Sequence, residues 1–270
     1  MRLALGVLIS HGFPAPSAFW ESYEQVMMHI ANGSTNALLP DDRKITGVRR
    51  IKSQSFPPDV ARNDIVRDFL KGDEDYLLFL DADMTFPADI AGRLLVHDKP
   101  VVTARYHMRR EPYHVVAYVK HRIVDGPHAY APVHWGAGLV EIERGGAGAL
   151  LIRRDVLEAI GEDWFRYQRG PEPPHDFTVS EDFWFYRRAR EEGFSCWLDW
   201  ECECEHLQQF GINRSWNEAY LNAQVRTLPS LSAEDRQRAL DGFVVCGMPD
   251  GLRLASGDHV PAYTVTAGER

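Results

Sequence analysis

The chain opens on a continuous apolar run, Leu3-Ala4-Leu5-Gly6-Val7-Leu8-Ile9, the pattern of a strand covered on both faces. A loop follows over 10–16, marked by Gly12, Pro14 and Pro16. The period then changes. Phe19, Tyr23, Val26, Met27 and Ile30 recur at helical spacing, predicting a helix over 17–31 with Ser17 as its cap and Asn32-Gly33 as its end. A second strand is expected over 45–51, and Pro57-Pro58-Asp59 announces a helix over 60–70 that closes at Gly72. Tyr76-Leu77-Leu78-Phe79-Leu80 is the strongest strand pattern in the chain, and it stops abruptly at Asp81-Ala82-Asp83. A helix over 87–96 and a strand over 101–104 complete this half.

Strands alternating with helices imply right-handed crossovers and a mostly parallel sheet, so the fold class is α/β and Rossmann-like, with helices flanking a central sheet. Such sheets bind ligands outside the carboxyl ends of their strands. Asp81 and Asp83 stand at such an end.

The second half is less regular. A strand or hairpin is expected over 113–123, and strands over 139–142 and 149–152 flank the glycine-rich turn before Gly148. A short helix over 155–160 and a Gly/Pro-rich loop over 167–177 come next. Ser180-Glu181-Asp182 opens a helix to about 192, and strands are expected over 195–198 and 202–206. Helices over 216–226 and 233–240 would form a small C-terminal extension. The expected division is a domain over 1–206 and an extension over 207–270.

Composition narrows the function classes. Hydrophobic residues make up 44% and charged residues 26% of the 270, enough for one sizeable core. The net charge of -9 disfavours broad attraction to phosphate backbones. Basic clusters at 49–52 and at Arg109-Arg110 read first as solvated faces. The N-terminal apolar run is too short for a membrane span, which takes about 20 residues. With four sparse cysteines and no membrane span, a cytoplasmic protein is expected, in the host cytoplasm if the source is a phage.

A carboxylate pair at a strand end suits a hard divalent cation that also binds diphosphate oxygens. Asp81 and Asp83, with the small Ala82 between them, meet that description, although a solvated turn or helix cap has the same residues. Gly146-Ala147-Gly148 before a buried strand would let a ligand approach the backbone, or would serve a tight turn. Glu181 and Asp182 lie where the helix dipole favours carboxylates, with or without chemistry. Arg62-Asn63 opens a helix and could reach a phosphate or a base. Cys202, Cys204 and His206 alternate with Glu201, Glu203 and Glu205, so the first three share a strand face. The spacing is not that of a zinc knuckle and favours small buried thiols, with His206 free to turn towards Asp83.

These motifs in this order resemble those of a GT-A fold glycosyltransferase, close to small family-two-like enzymes of bacteria and phages: 75–84 around the acidic triplet, 146–153, 180–182, then His206, with Arg62-Asn63 upstream. The resemblance covers about 3–206. It implies that Asp81 contacts the ribose or the metal, that Asp83 ligates Mn2+ or Mg2+, and that His206 adds a ligand. It implies that Arg62 and Asn63 hold a nucleoside diphosphate, with Ala82, Gly146, Ala147 and Gly148 lining the donor site. Asp182, beside Glu181, would face the acceptor and in an inverting enzyme act as general base. The donor would be a nucleoside-diphosphate sugar, with a UDP-sugar favoured. Glycan, protein, lipid and modified DNA all stay open as acceptor. A sugar-nucleotide nucleotidyltransferase and a non-catalytic nucleotide-sugar-binding module are the competing readings.

Overall fold

The computed structural model describes residues 1–9, 15–120, 130–168 and 179–208. Strand β1 (Arg2–Leu8) leads into helix α1 (Ser17–Ala31), the short α2 (Ser34–Ala37) and a 3-10 turn at Asp41–Arg43. Strand β2 (Gly47–Ser53), helix α3 (Pro58–Leu70), strand β3 (Tyr76–Asp81), the two-residue β4 (Met84–Thr85), helix α4 (Ile90–Val96) and strand β5 (Val101–Arg105) follow. Next come β6 (Ala117–Lys120), β7 (Tyr130–Pro132), β8 (Leu139–Ile142), β9 (Arg144–Gly145), β10 (Ala149–Arg153) and helix α5 (Arg154–Ile160). Helix α6 (Glu181–Glu191) and strands β11 (Cys196–Glu203) and β12 (Glu205–His206) end the described elements.

The central sheet has seven strands in the order β2-β1-β3-β10-β5-β11-β8. Strands β2, β1, β3, β5 and β11 run one way, and β10 and β8 run against them. The expected α/β class with a mostly parallel central sheet is what the structure shows. Alternation along β3 splits the core in two. Leu78 and Leu80 face α1 and α4 in one apolar cluster, with Phe19, Val26, Ile90 and Leu94. Leu77 and Phe79 face α3, α5 and α6 in the other, with Ile65, Phe69, Leu157 and Phe185. Strand β3 is buried on both faces, which is why its sequence is an unbroken apolar run.

Three local expectations change. Helix α1 is capped by Pro16, whose carbonyl accepts from the Phe19 amide at 3.1 Å, so Ser17 is the first helical residue and not the cap. The sequence 196–203 is one strand, with a register shift between Asp199 and Glu203, because the chain stays paired to β5 across an irregularity. Residues 205–206 leave the main sheet and pair with β4. Of the strand or hairpin expected over 113–123, β6 is the strand, and it pairs antiparallel with β7 and β9 in a small sheet; residues 121–123 lie outside the described residues. Residues Met1–Gln208 form one compact unit. The C-terminal helices expected over 216–226 and 233–240, and the loop over 10–14, lie outside the described residues. No helix among the described residues is long and apolar enough to cross a membrane.

The antiparallel β10 matters most for the site. Because it runs against β3, its start lies at the carboxyl end of β3, and the Asp81 amide donates to the Gly148 carbonyl at 2.9 Å. The space above these glycines is filled. A Cβ on Gly146 would run into the Tyr106 hydroxyl and Val116, and one on Gly148 into the Met84 sulfur. Their smallness serves close packing of Tyr106 and Met84 against the strand. Gly146→Ala should therefore lose about 1–3 kcal/mol by overpacking, read as a lower urea midpoint at unchanged slope.

Candidate active site

Two groups of side chains gather at the carboxyl ends of β3 and β5, and their environments differ. The first is buried. Arg62, on the inner face of α3, has a side chain 4% exposed and grips Asp81 with both guanidinium arms, Nη2 to Oδ2 at 2.8 Å and Nη1 to Oδ1 at 3.2 Å. Nη1 also donates to the Ala147 carbonyl at 3.1 Å. Its Nε faces Glu181 at 3.7 Å and Asp182 at 3.6 Å without a hydrogen bond to either. The guanidinium also lies over the Phe79 and Phe165 rings, 5.3 and 5.7 Å from their centroids.

One cation thus stands among three carboxylates. Burial works against the charge of Arg62, but Asp81, Asp182 and Glu181 more than offset it. Burial pushes the Asp81 carboxyl up, Arg62 opposes, and the charges of Asp83 and Glu181 add to the rise. Asp182 is raised well above the usual carboxylate range, first by burial and then by the neighbouring charge of Glu181, with Arg62 again opposing. Its Oδ1 is buried without a hydrogen-bond partner. Tyr167 belongs to the same cluster, its phenol pushed up by burial and by the charge of Glu181.

Helix α6 aims this acidic end by ordinary means. The Ser180 hydroxyl accepts from the Phe183 amide at 3.3 Å, which fixes where the helix begins and puts Glu181 and Asp182 in its first turn. Phe185 and Tyr186 anchor the helix in the core, and the Tyr186 hydroxyl donates to the Gly146 carbonyl at 3.2 Å.

The second group is half exposed. Asp83 Oδ2 lies 3.6 Å from His206 Nε2 and 3.0 Å from Arg109 Nη1. Residues distant in sequence meet here because β12 pairs with β4: His206 stands opposite Met84, and the Leu207 amide donates to the Asp83 carbonyl at 2.8 Å. The His206 ring is set by its other nitrogen, which meets the His107 carbonyl at 3.0 Å, and by edge contact with Tyr106. With Nδ1 held by that carbonyl, Nε2 is the nitrogen turned to Asp83, where it can carry a proton towards the carboxylate or, without it, offer a lone pair to a cation. Partial burial works against ionisation of Asp83, but hydrogen bonding to His206 and the charges of Arg109 and His206 hold its carboxyl below the usual range.

A metal and a diphosphate were expected at these residues, and the donor set sorts itself. Asp83 and His206 present an oxygen and a nitrogen to the same space, a set that suits Mn2+ or Mg2+ completed by phosphate oxygens and water. Asp81 has both of its oxygens bonded to Arg62. Among the described residues no group of three or more His, Cys, Asp or Glu could hold a metal ion, so any cation here would rest on two protein ligands. Cys202 and Cys204 are buried on the α1/α4 side of the core as small free thiols.

The other residues expected at a donor site have protein partners. Arg62 is spent on Asp81 and Ala147, and Asn63 has its amide bound at both ends to the Phe165 backbone, at 2.8 and 3.1 Å. Ala82 is buried, with its amide donating to the Leu8 carbonyl at 3.1 Å. Sequence reasoning missed Arg109, Tyr106 and Tyr167. Arg109 follows a strand that ends at the ligand-binding edge, which was a usable signal. Removing Arg62 would strand three carboxylates, so Arg62→Met should cost about 3–5 kcal/mol of stability in chemical denaturation. Arg62→Lys keeps the charge without the fork and should recover only part of it.

Beside this edge lies a cavity of about 340 Å³ lined by Val7, Ile9, Trp20, Tyr23, Arg50, Ile51 and Lys52. It opens where β1 has β2 on one side and β3 on the other, a switch point of the sheet.

No family model matches the chain, and no curated protein matches it. Solved structures similar to it include A197 from STIV, at 15% identity and a TM-score of 0.47 over 77% of this chain and 87% of that one. GalNAc-T7, crystallised with UDP, GalNAc and Mn2+, has a TM-score of 0.47 at 10% identity over 90% of this chain and 54% of that one. S. aureus TarS 1-349, in complex with UDP-GlcNAc, has a TM-score of 0.41 at 10% identity over 90% of this chain and 72% of that one. At these identities the likeness is one of fold alone.

Proposed function

We propose that the chain is a metal-dependent glycosyltransferase of the GT-A fold, acting in the cytoplasm. It would move a hexose-type sugar from a nucleoside-diphosphate donor, a UDP-sugar in the favoured form, to an acceptor hydroxyl. The observation that carries this reading is the facing pair of Asp83 Oδ2 and His206 Nε2, 3.6 Å apart, with the His206 ring fixed from behind by the His107 carbonyl. A ring locked in one orientation with a free nitrogen beside a carboxylate is a ligand arrangement. A bound Mn2+ or Mg2+ would neutralise the charge that grows on the departing diphosphate.

The chain's own groups supply the rest. The acceptor oxygen attacks the anomeric carbon, the bond from that carbon to the donor phosphate oxygen breaks, and the nucleoside diphosphate leaves with the electron pair. Asp182 takes the acceptor's proton, which its raised basicity favours, and the anomeric centre inverts. Glu181 and Arg62 set the charge around Asp182, and Arg62 holds Asp81 against the end of β10. The cavity by Trp20 and Tyr23 is suited to the donor's base.

The test is a thermal-shift screen of nucleotide sugars with and without manganese, followed by mass spectrometry of candidate acceptors. A donor at 100 times its dissociation constant stabilises by about 2.7 kcal/mol, which should raise the melting temperature by roughly 5–10 °C. The shift should need manganese. A panel without any responding nucleotide sugar would sink the reading, and release of pyrophosphate instead of nucleoside diphosphate would make the protein a nucleotidyltransferase.

A further inference from the structure

We propose that Arg109 is a diphosphate-binding residue that changes partner. In the free protein it neutralises Asp83, and when a divalent cation takes that carboxylate it turns to the diphosphate of the sugar donor. This rests on the transferase reading above and adds a residue to it.

Three observations place Arg109 in that role. Its Nη1 lies 3.0 Å from Asp83 Oδ2, the same oxygen that faces His206 Nε2, so the guanidinium occupies the space a cation on that oxygen would need. A divalent cation on that oxygen repels the guanidinium and competes with it for the carboxylate. Arg109 must then give way, and the anion brought in by the cation is the nearest charge of opposite sign.

The second observation is that Arg109 is held in place by its backbone. It sits at the turn of a short hairpin closed by the His107–Val115 bridge and by the Met108 amide on the His114 carbonyl at 3.0 Å. The His107 carbonyl is also what orients His206. One short segment therefore fixes both the histidine and the arginine beside Asp83, and release of the ion pair leaves the guanidinium still next to the site. The third is chemical. Arg109 is about half exposed, Asp83 is its one ion-pair partner among the described residues, and a guanidinium fork matches phosphate oxygens bidentately. Arg62 is too deeply engaged to serve in its stead.

The experiment measures free Mn2+ by electron paramagnetic resonance against wild type, Arg109→Gln and Arg109→Lys. Each is titrated with manganese alone and with manganese plus UDP, GDP, ADP or dTDP. Arg109→Gln should bind manganese alone about threefold or more tightly, because Asp83 is freed. It should bind the diphosphate that wild type prefers about tenfold or more weakly. Arg109→Lys keeps the charge and should match wild type for manganese alone while recovering only part of the diphosphate affinity. If wild type binds a diphosphate and Arg109→Gln binds it equally well, the proposal is wrong and Arg109 is only a surface ion pair. If wild type binds manganese but none of the four diphosphates, the transferase reading falls and takes this proposal with it.

Discussion

Asp83→Ala is expected to abolish manganese-dependent turnover of a nucleotide sugar while leaving the fold intact. The carboxylate is half exposed and its partners, Arg109 and His206, are also near the surface, so its removal costs little stability. The chemical loss is larger. An electrostatic stabiliser of a leaving group contributes several kcal/mol in a transition state, so the rate should fall by about 10³-fold. Initial rates of nucleoside diphosphate release across a manganese series, beside a melting curve, check both halves. A variant that keeps its manganese response would remove Asp83 from the metal site. Asp81→Ala should behave in the opposite way, because Asp81 is the bidentate partner of buried Arg62 and its loss is mainly a loss of stability.

That contrast between two residues of one triplet was not visible in sequence. Asp81 and Asp83 are equivalent as text, and the resemblance separates them only as far as ribose or metal for Asp81 and metal for Asp83. Alternation alone would put positions two apart on one face; the end of the strand separates them, since Asp81 closes β3 facing the buried Arg62 while Asp83 lies past it in the turn to β4. The partner that decides Asp81 is a helix residue 19 positions earlier, and no local pattern announces it.

What was legible is what local periodicity and strand-end rules control. The apolar run before Asp81 marked the central strand, and the rule that parallel sheets bind ligands at their carboxyl edge put the triplet in the right place. The pattern of exposed Glu201, Glu203 and Glu205 against buried Cys202 and Cys204 also reads directly from alternation. Long-range pairing was less legible. The antiparallel insertion of β10 between β3 and β5 brings the glycines to Asp81, and the two-residue ladder of β12 on β4 brings His206 to Asp83. Neither has a sequence period, since both are decided by which edge of the sheet the chain returns to. Arg109 was read as a solvated face because a basic dipeptide usually is one; only the return of the hairpin over Asp83 gives it a partner.

Asp182→Asn should separate catalysis from stability at the buried end of the site. Asp182 is buried beside Glu181 and its ionised form is disfavoured, first by desolvation and then by that neighbouring charge, while Arg62 pulls the other way. The group is therefore a stronger base than an ordinary carboxylate and a costlier one to ionise. Asparagine keeps the shape and removes the charge. Transfer to acceptor should fall by about 10²–10⁴-fold, the usual contribution of a general base, with donor and manganese binding kept. Stability should hold or rise, because the neutral side chain ends the like-charge repulsion with Glu181. The wild-type pH profile carries the same signature. Only the ionised carboxylate accepts a proton, so kcat/KM should fall as pH drops through the raised pKa, at a higher pH than an exposed aspartate would place that limb. In Asp182→Asn the limb should vanish along with the rate. A variant that keeps full transfer and an unchanged acid limb would show that the acceptor is deprotonated by another group.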